Sequence, residues 1–423
     1  MSLRRTIPAG LLDAGFSSLA TLAMGVYAAR RLELSSLGAY AVFFTAFLFV
    51  AVIPAQALFV PAEIASLRYP SSDRLRQLGQ SLRLGAAVAL PAGLVASMGA
   101  LVLPPSVGRG TVTALAVTTI LAASLSPIQD HVRRMLHLAG RSWRAAAVSV
   151  VQFATIIAAL VGLESLGVPT NWIPFGSLAL ANAVSLGVGL FLAKHPEGQL
   201  SRRLKARELA RSGRWLLIVG AAPSAASFVA AALVARLASP ATLGYAEAAR
   251  IVAQPLLVVA LGLSAVLGPR SMEAAAGRDL SEAQRIRRIF VSIAVLTGSV
   301  YFAVVGFTWR GNPLASLLPS AYVVGGLVPI TVIGNLVNAL VFPDRSELMG
   351  GHREPRLATG ETLASFSQCA VSLTAGVTQS FARPFGVLAQ GITRQLAFRW
   401  ALRGMYGLPA VRAPEQGTPS PAS

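Results

Sequence analysis

Residues Tyr27 to Phe44 read YAARRLELSSLGAYAVFF, and residues Leu233 to Arg250 read LVARLASPATLGYAEAAR. In each, arginine breaks an apolar run, and the chain returns to apolar sequence through Leu-Gly and a tyrosine. RLELSSLGAY (Arg31 to Tyr40) aligns with RLASPATLGY (Arg236 to Tyr245), with one residue of slippage, at an offset close to half of the 423 residues. A second pair follows at nearly the same offset: PAEIASLRYPSSDRLRQLGQSLRLG from Pro61 and PRSMEAAAGRDLSEAQRIRRIF from Pro269. Two matches at one offset predict a chain built twice over.

The apolar runs around these phrases set the class. Hydrophobic residues make up 54% of the sequence and charged residues 13%, with a mean hydropathy of +0.63. That is too little charge to cover a soluble surface, so the sequence predicts an all-α integral membrane protein. Crossing a bilayer core takes about 20 apolar residues. Segments near 8–29, 38–60, 84–104, 111–129, 145–164, 172–193, 214–235, 244–267, 288–308, 320–342, 357–380 and 383–402 meet that length, giving about twelve spans. Prolines inside them (Pro54, Pro91, Pro255, Pro329) predict kinks rather than breaks. Asp13 interrupts the first run and many runs follow it, so the amino terminus reads as a first span rather than a cleaved leader.

The net charge of +19 would suggest nucleic acid in a soluble protein. Here it follows topology instead. Of 36 Lys and Arg residues, the connections after odd-numbered spans hold only Arg30, Arg31, Arg109, Arg236, Arg310 and Arg383, and Arg250 lies within a span. The remainder lie on the other side, which places both termini and the basic connections in the cytoplasm. No nucleic acid is required. The histidines (His131, His137, His195, His352) fall in polar connections without metal-ligand spacing, and the single cysteine, Cys369, forms no disulfide within the chain. The sequence offers no cofactor loop, metal cluster or hydrolytic triad, and it reads as non-enzymatic.

Six spans is an even number, so both repeats enter the membrane from the same side. They are parallel, related by an axis along the membrane normal, with the natural cavity between them. The expected units are residues 1–193 and 214–402, six helices each. A basic linker helix at 194–213, lying on anionic headgroups, joins them, and a disordered cytoplasmic tail occupies 403–423.

The Arg-Leu and Leu-Gly-Tyr phrase after the first and seventh spans, with GPRSMEAAAGRD (Gly268 to Asp279) after the eighth, resembles the bacterial polysaccharide exporters. These are lipid-linked oligosaccharide (O-antigen type) flippases of the multidrug/oligosaccharidyl-lipid/polysaccharide (MOP) superfamily. The resemblance implies a two-lobed, MATE/MOP-like transporter fold in the bacterial inner membrane. It also implies movement of an undecaprenyl-pyrophosphate-linked oligosaccharide to the outer leaflet, with coupling H+ or Na+ and partner polymerases or glycosyltransferases. The alternatives are a MATE-like antiporter of small molecules and a membrane-embedded polysaccharide polymerase or ligase. The short external connections count against the last.

Such a transporter must carry a pyrophosphate and sugars through hydrocarbon, which calls for cationic and amide groups in its cavity. Arg250 in the eighth span is the foremost candidate, about 10 Å from the outer end at 1.5 Å per residue. Glu247 shares its face three residues earlier, where an intrahelical ion pair is the structural alternative. Exporters of this kind commonly carry cavity arginines on helices one, two and eight, whereas this sequence has none inside the first two. Asn335, Asn338, Gln56 and Gln254 are further cavity candidates for sugar hydroxyls, with interhelical hydrogen bonding as their alternative; Gln152 suits the same role. Asp13 is the coupling-ion candidate, with pairing to Arg4 or Arg5 as its alternative. Arg30, Arg31 and Arg236 sit on the sparsely charged side and are candidates for an outer rim.

Overall fold

A computed structural model describes residues 3–66, 69, 71–194, 205–307, 309, 312–313 and 317–406, with side chains described except at 3–7, 71–72 and 265. The described residues form twelve long helical segments. The first six are α1 (Leu3–Arg31), α2 (Leu34–Ser66), α3 (Ser71–Val95), α4 (Arg109–Leu138), α5 (Ser142–Ser165) and α6 (Ile173–Leu192). The second six are α7 (Ala206–Leu237), α8 (Pro240–Ala276), α9 (Leu280–Gly306), α10 (Leu327–Gly350), α11 (Glu354–Ser372) and α12 (Ala382–Tyr406). Helix is the form in which a long apolar run satisfies its own backbone polar groups without water. Local signals fix the ends. Ser239 caps α8 by accepting from the Thr242 amide, with Pro240 at the first helical position, and Asp279 caps α9 by accepting from the Glu282 amide.

Ten of these segments are long and apolar enough to cross a membrane. The exceptions are α11 and α12, the last two expected spans, which carry Glu354, Arg356, Glu361, Arg383, Arg394, Arg399 and Arg403. Their innermost charges are paired inside the bundle: Arg394 contacts Glu361 at 2.8 Å and Arg383 contacts Glu247 at 2.6 Å.

Several expected boundaries are corrected. The helices extend past the apolar runs at the basic end, because amphipathic turns there continue the same helix. His131 and His137 therefore lie within α4, not in a connection. In the second repeated pair of stretches, the charged residues from Ser71 and from Leu280 onward are the opening turns of α3 and α9. From Ala206 onward the predicted linker belongs to α7, and Arg403–Tyr406 of the predicted tail belong to α12, while 195–204 and 407–423 lie outside the described residues. The prolines also differ in effect. Pro54 leads into a π turn at Ala55–Phe59 and Pro91 precedes a 3-10 turn at Ala96–Met98. Pro255 sits in uninterrupted helix, and Pro329 falls in the first turn of α10, where no hydrogen bond is lost.

Packing repeats between the halves. In the first, α1 packs on α5, α5 on α6, α6 on α4, and α4 on both α2 and α3. In the second, α7 packs on α11, α11 on α12, α12 on α10, and α10 on both α8 and α9. Shifting every label by six turns one scheme into the other, which is the parallel repeat the two phrases predict. The halves meet chiefly where α2 crosses α7 and α8 and where α1 touches α8.

That meeting is tight at the end where α1 turns into α2. A Cβ at Gly38 would overlap the carbonyl of Pro240, and a Cβ at Gly244 would overlap the carbonyl of Leu34. Each repeated Leu-Gly thus lets one helix lie on the opening residues of its counterpart. Two further bonds bridge the halves there. Tyr322 donates to the Leu32 carbonyl at 2.7 Å, and Arg236 donates from Nε to the Val102 carbonyl at 2.8 Å and from Nη2 to the Leu101 carbonyl.

At the opposite, basic end α7 still packs on α2, with Gly213 against Gln56 and Pro61. A cleft of about 710 Å³ opens between Ile64, Tyr69 and Gln77 of the first half and Trp215, Met272 and Met349 of the second.

Candidate functional site

Six residues beyond Gly244, about 9 Å along α8, the crossing gives way to a charged cluster. Glu247 is fully buried and is held by two guanidinium groups. Arg250, on the same helix, donates from Nε at 2.9 Å and from Nη2 at 2.7 Å, and Arg383, from the first turn of α12, donates from Nη1 at 2.6 Å. Both partners of the Glu247 pair come from the second half, but the first half supplies the wall. The Arg250 guanidinium lies 4.6 Å from the centre of the Phe44 ring on α2, a favourable cation–π position. Tyr40, one turn before Phe44, stacks on it and against Phe175. The Tyr40 hydroxyl is buried and has no hydrogen-bond partner among the described residues.

Two arginines against one glutamate leave a net positive charge at the contact between the halves. A buried carboxylate needs such partners, because an unpaired charge there costs several kcal/mol. The second arginine leaves the cluster with cationic character to offer a ligand. Arg250 keeps 22% of its side chain exposed while Glu247 is wholly covered, so the cation is the member that can be reached.

The other expected residues divide. Asn335 donates to the Ala253 carbonyl of α8 at 3.2 Å. Asn338 donates to the Val387 carbonyl at 2.7 Å and accepts from Arg394 at 2.7 Å, and Arg394 in turn pairs with Glu361. Both amides thus tie α10 to its neighbours within the second half. The Gln254 Oε1, Gln368 Oε1 and Gln390 Nε2 atoms of α8, α11 and α12 are buried with no partner among the described residues. These, with Arg345, whose guanidinium forms no ion pair or hydrogen bond among the described residues, give the second half an interior with polar capacity to spare. Gln56 lies in the π turn and packs against Gly213 and Gly220 of α7. Gln152 donates to Asn182 at 2.8 Å.

Asp13 stands apart from this cluster, inside the first half near the basic end. His137 and Ser149 hydrogen-bond to it, the former at 3.0 Å, and Arg133 lies at 3.5 Å, itself bound to Asp130. These partners from α4 and α5 satisfy the carboxylate, while the side chains of Arg4 and Arg5 lie outside those described. Elsewhere on α4, His131 joins Glu63 at 2.9 Å and Ser81 at 2.8 Å and stacks on Phe59. Its neighbour Arg134 also reaches Glu63. Among the described residues no group of His, Cys, Asp and Glu is arranged to hold a metal ion.

The rim arginines also divide. Arg236 crosses to the far half as described, whereas its repeat counterpart Arg31 pairs with Glu164 of α5 at 2.7 Å, within its own half. Arg383 is the residue that sequence reasoning misplaced. It sits beside a proline between two weakly apolar runs and so read as a connection residue, but it is buried in the charged cluster. The missed signal was Glu247 itself, since a membrane carboxylate with one nearby arginine invites a second cation.

In sequence, the chain matches no protein-family model and no curated protein. Its fold is that of solved MOP superfamily transporters. An inward-facing multidrug resistance MATE family transporter of that superfamily is similar over 92% of this chain and 94% of its own, at 14% identity and a TM-score of 0.71. An outward-facing conformation of such a transporter is similar over 95% of this chain and 94% of its own, at 14% identity and a TM-score of 0.61. A MOP superfamily transporter from Pyrococcus furiosus, described as having a binding pocket of reverse polarity that suggests a different function, is similar at 15% identity with a TM-score of 0.65. That match covers 95% of this chain and 94% of the other.

Proposed function

We propose that this chain is a transporter that flips an undecaprenyl-pyrophosphate-linked oligosaccharide from the inner to the outer leaflet of a bacterial cell membrane by alternating access. The observation that carries the reading is the net cationic cluster of Arg250, Arg383 and Glu247 at the contact between the halves. A pyrophosphate entering there meets guanidinium groups suited to bidentate phosphate contact. The spare amides of Gln254, Gln368 and Gln390 suit sugar hydroxyls.

The moving bodies are the two six-helix units, α1–α6 and α7–α12. The basic end faces the cytoplasm with both termini. Asp13 is the site at which a coupling H+ or Na+ acts, since its carboxylate links α1 to α4 and α5. Polymerases and glycosyltransferases handling the same glycolipid are the expected partners.

A second reading, a MATE-like antiporter of small molecules, is favoured by the solved multidrug MATE transporters of the same fold. It calls for an acidic site for cationic substrates, whereas the one carboxylate at this cluster is already covered by two arginines. Export of surface glycan in cells separates the two. Arg250→Ala should abolish export while the protein stays in the membrane, and normal export in that variant would remove Arg250 from the mechanism.

A further inference from the structure

Arg30 and Arg31 lie at the end of the bundle where topology leaves little positive charge. Arg31 is accounted for by Glu164. Arg30 is exposed and forms no ion pair or hydrogen bond among the described residues. Directly beneath the two arginines runs a groove of about 460 Å³ between α1 and α5, walled by Leu19, Leu22, Val26, Phe153, Ile157 and Leu160 and topped by Tyr27 and Glu164. Its edges face outward from the bundle: Leu19, Ile157 and Val161 are 44%, 40% and 65% exposed. In a membrane-spanning segment such a surface meets hydrocarbon. On the other side of the arginines lies a second space of about 490 Å³, bounded by Leu318, Pro319 and Ser320.

The dimensions fit one kind of occupant. From Leu19 to Arg30 the groove follows α1 for about 16 Å at 1.5 Å per residue, close to half of a hydrocarbon core of about 30 Å. It is thus one leaflet deep, apolar along its length and cationic at its mouth. An unpaired guanidinium at headgroup level, with a tyrosine beside it, matches a phosphodiester above an acyl chain.

We infer that the α1–α5 groove is a binding site for an anionic phospholipid of the leaflet at the α1–α2 end, with its phosphate on Arg30 and a hydrocarbon chain along Leu22, Val26 and Phe153. The space beside Ser320 receives the rest of the headgroup. The site is separate from the Arg250 cluster and stands whether or not a glycolipid is the transported species.

The test is native mass spectrometry of the full chain in neutral detergent with equimolar phosphatidylglycerol and phosphatidylcholine. The wild type should hold one phosphatidylglycerol in preference to phosphatidylcholine by about fivefold, the worth of one arginine near an anionic lipid. Arg30→Gln should bring that ratio near one. Val161→Trp, at an exposed position that leaves folding intact, should lower retention of both lipids. Glycerol 3-phosphate should fail to displace the lipid. An unchanged preference in Arg30→Gln would overturn the site. Displacement by glycerol 3-phosphate as effective as by the lipid would overturn the groove's part in it, leaving only a headgroup anion site.

Discussion

Gly38 of α2 lies against the carbonyl of Pro240, and Gly244 of α8 lies against the carbonyl of Leu34, so that each glycine seats the opening of the other's helix. The contact is reciprocal because the sequence phrase that creates it is repeated. It joins the halves at the α1–α2 end through backbone shape, and the proposed alternating access would require that it separate.

A side chain at either glycine should therefore favour the separated state. Overpacking a tight contact costs about 1–3 kcal/mol, enough to shift a two-state balance by roughly 5- to 150-fold. In a Cys369→Ser background, a cysteine introduced by Ala248→Cys lies under the closed crossing and should react slowly with a membrane-impermeant maleimide. Adding Gly244→Val should speed that labelling. Unaltered labelling would mean that the glycines serve packing alone.

Arg236 and Arg31 occupy matching places in the repeat but do different work. Arg236 donates across the halves to the carbonyls of Leu101 and Val102, whereas Arg31 pairs within its own half while 56% exposed. Arg236→Gln should raise maleimide labelling at Ala248→Cys about tenfold, as expected for losing a charge-assisted hydrogen bond. Arg31→Gln should leave it within about twofold, since exposed pairs contribute little. Equal effects from the two would discount the cross-half clasp.

Glu247 is the buried counterion of Arg383 and of the partly exposed Arg250. Glu247→Gln should lower stability by about 3–5 kcal/mol, the usual cost of stranding buried charge. Thermal unfolding in detergent would show it. Removing one cation as well, in Glu247→Gln/Arg383→Met, should restore part of the loss, and additive losses would show that the pair is not coupled.

Asp13→Asn addresses energy coupling. Asp13 is the carboxylate on which His137, Ser149 and Arg133 converge. The variant should bind substrate normally yet lose the acceleration of transport by a proton or sodium gradient. Transport that still responds fully to the gradient would leave Asp13 a purely structural link between α1, α4 and α5.

The repeat, the helical class and the basic end were legible in the sequence because each rests on composition or spacing along the chain. The Leu-Gly-Tyr phrases marked the two helices that cross, although only the packing shows that Gly38 and Gly244 meet each other's neighbours. The charged cluster was half legible. Glu247 and Arg250 are one helical turn apart and read as a pair from sequence alone, but Arg383 comes from a segment 133 residues away. Its helix was expected as the last span, but Arg383 stands at the very start of it and counted with the connection before it, and only the fold places that charge beside a carboxylate. Asp13 was noticed as a polar intrusion, while its partners His137 and Ser149 arrive from α4 and α5. Asn335 and Asn338 shared a face as expected, yet which neighbour that face meets is a property of packing.

The central claim is that the Arg250–Arg383–Glu247 cluster carries an anionic, lipid-linked glycan across the membrane. Reconstituting the protein in vesicles with a fluorescent polyprenyl-pyrophosphate oligosaccharide, and adding an impermeant quencher outside, measures it most directly. Wild-type protein should bring the labelled lipid held in the inner leaflet within reach of the quencher, and Arg250→Ala should not. Equal exposure with and without Arg250, or no exposure by the wild type alongside gradient-driven uptake of a small cation, would contradict the account.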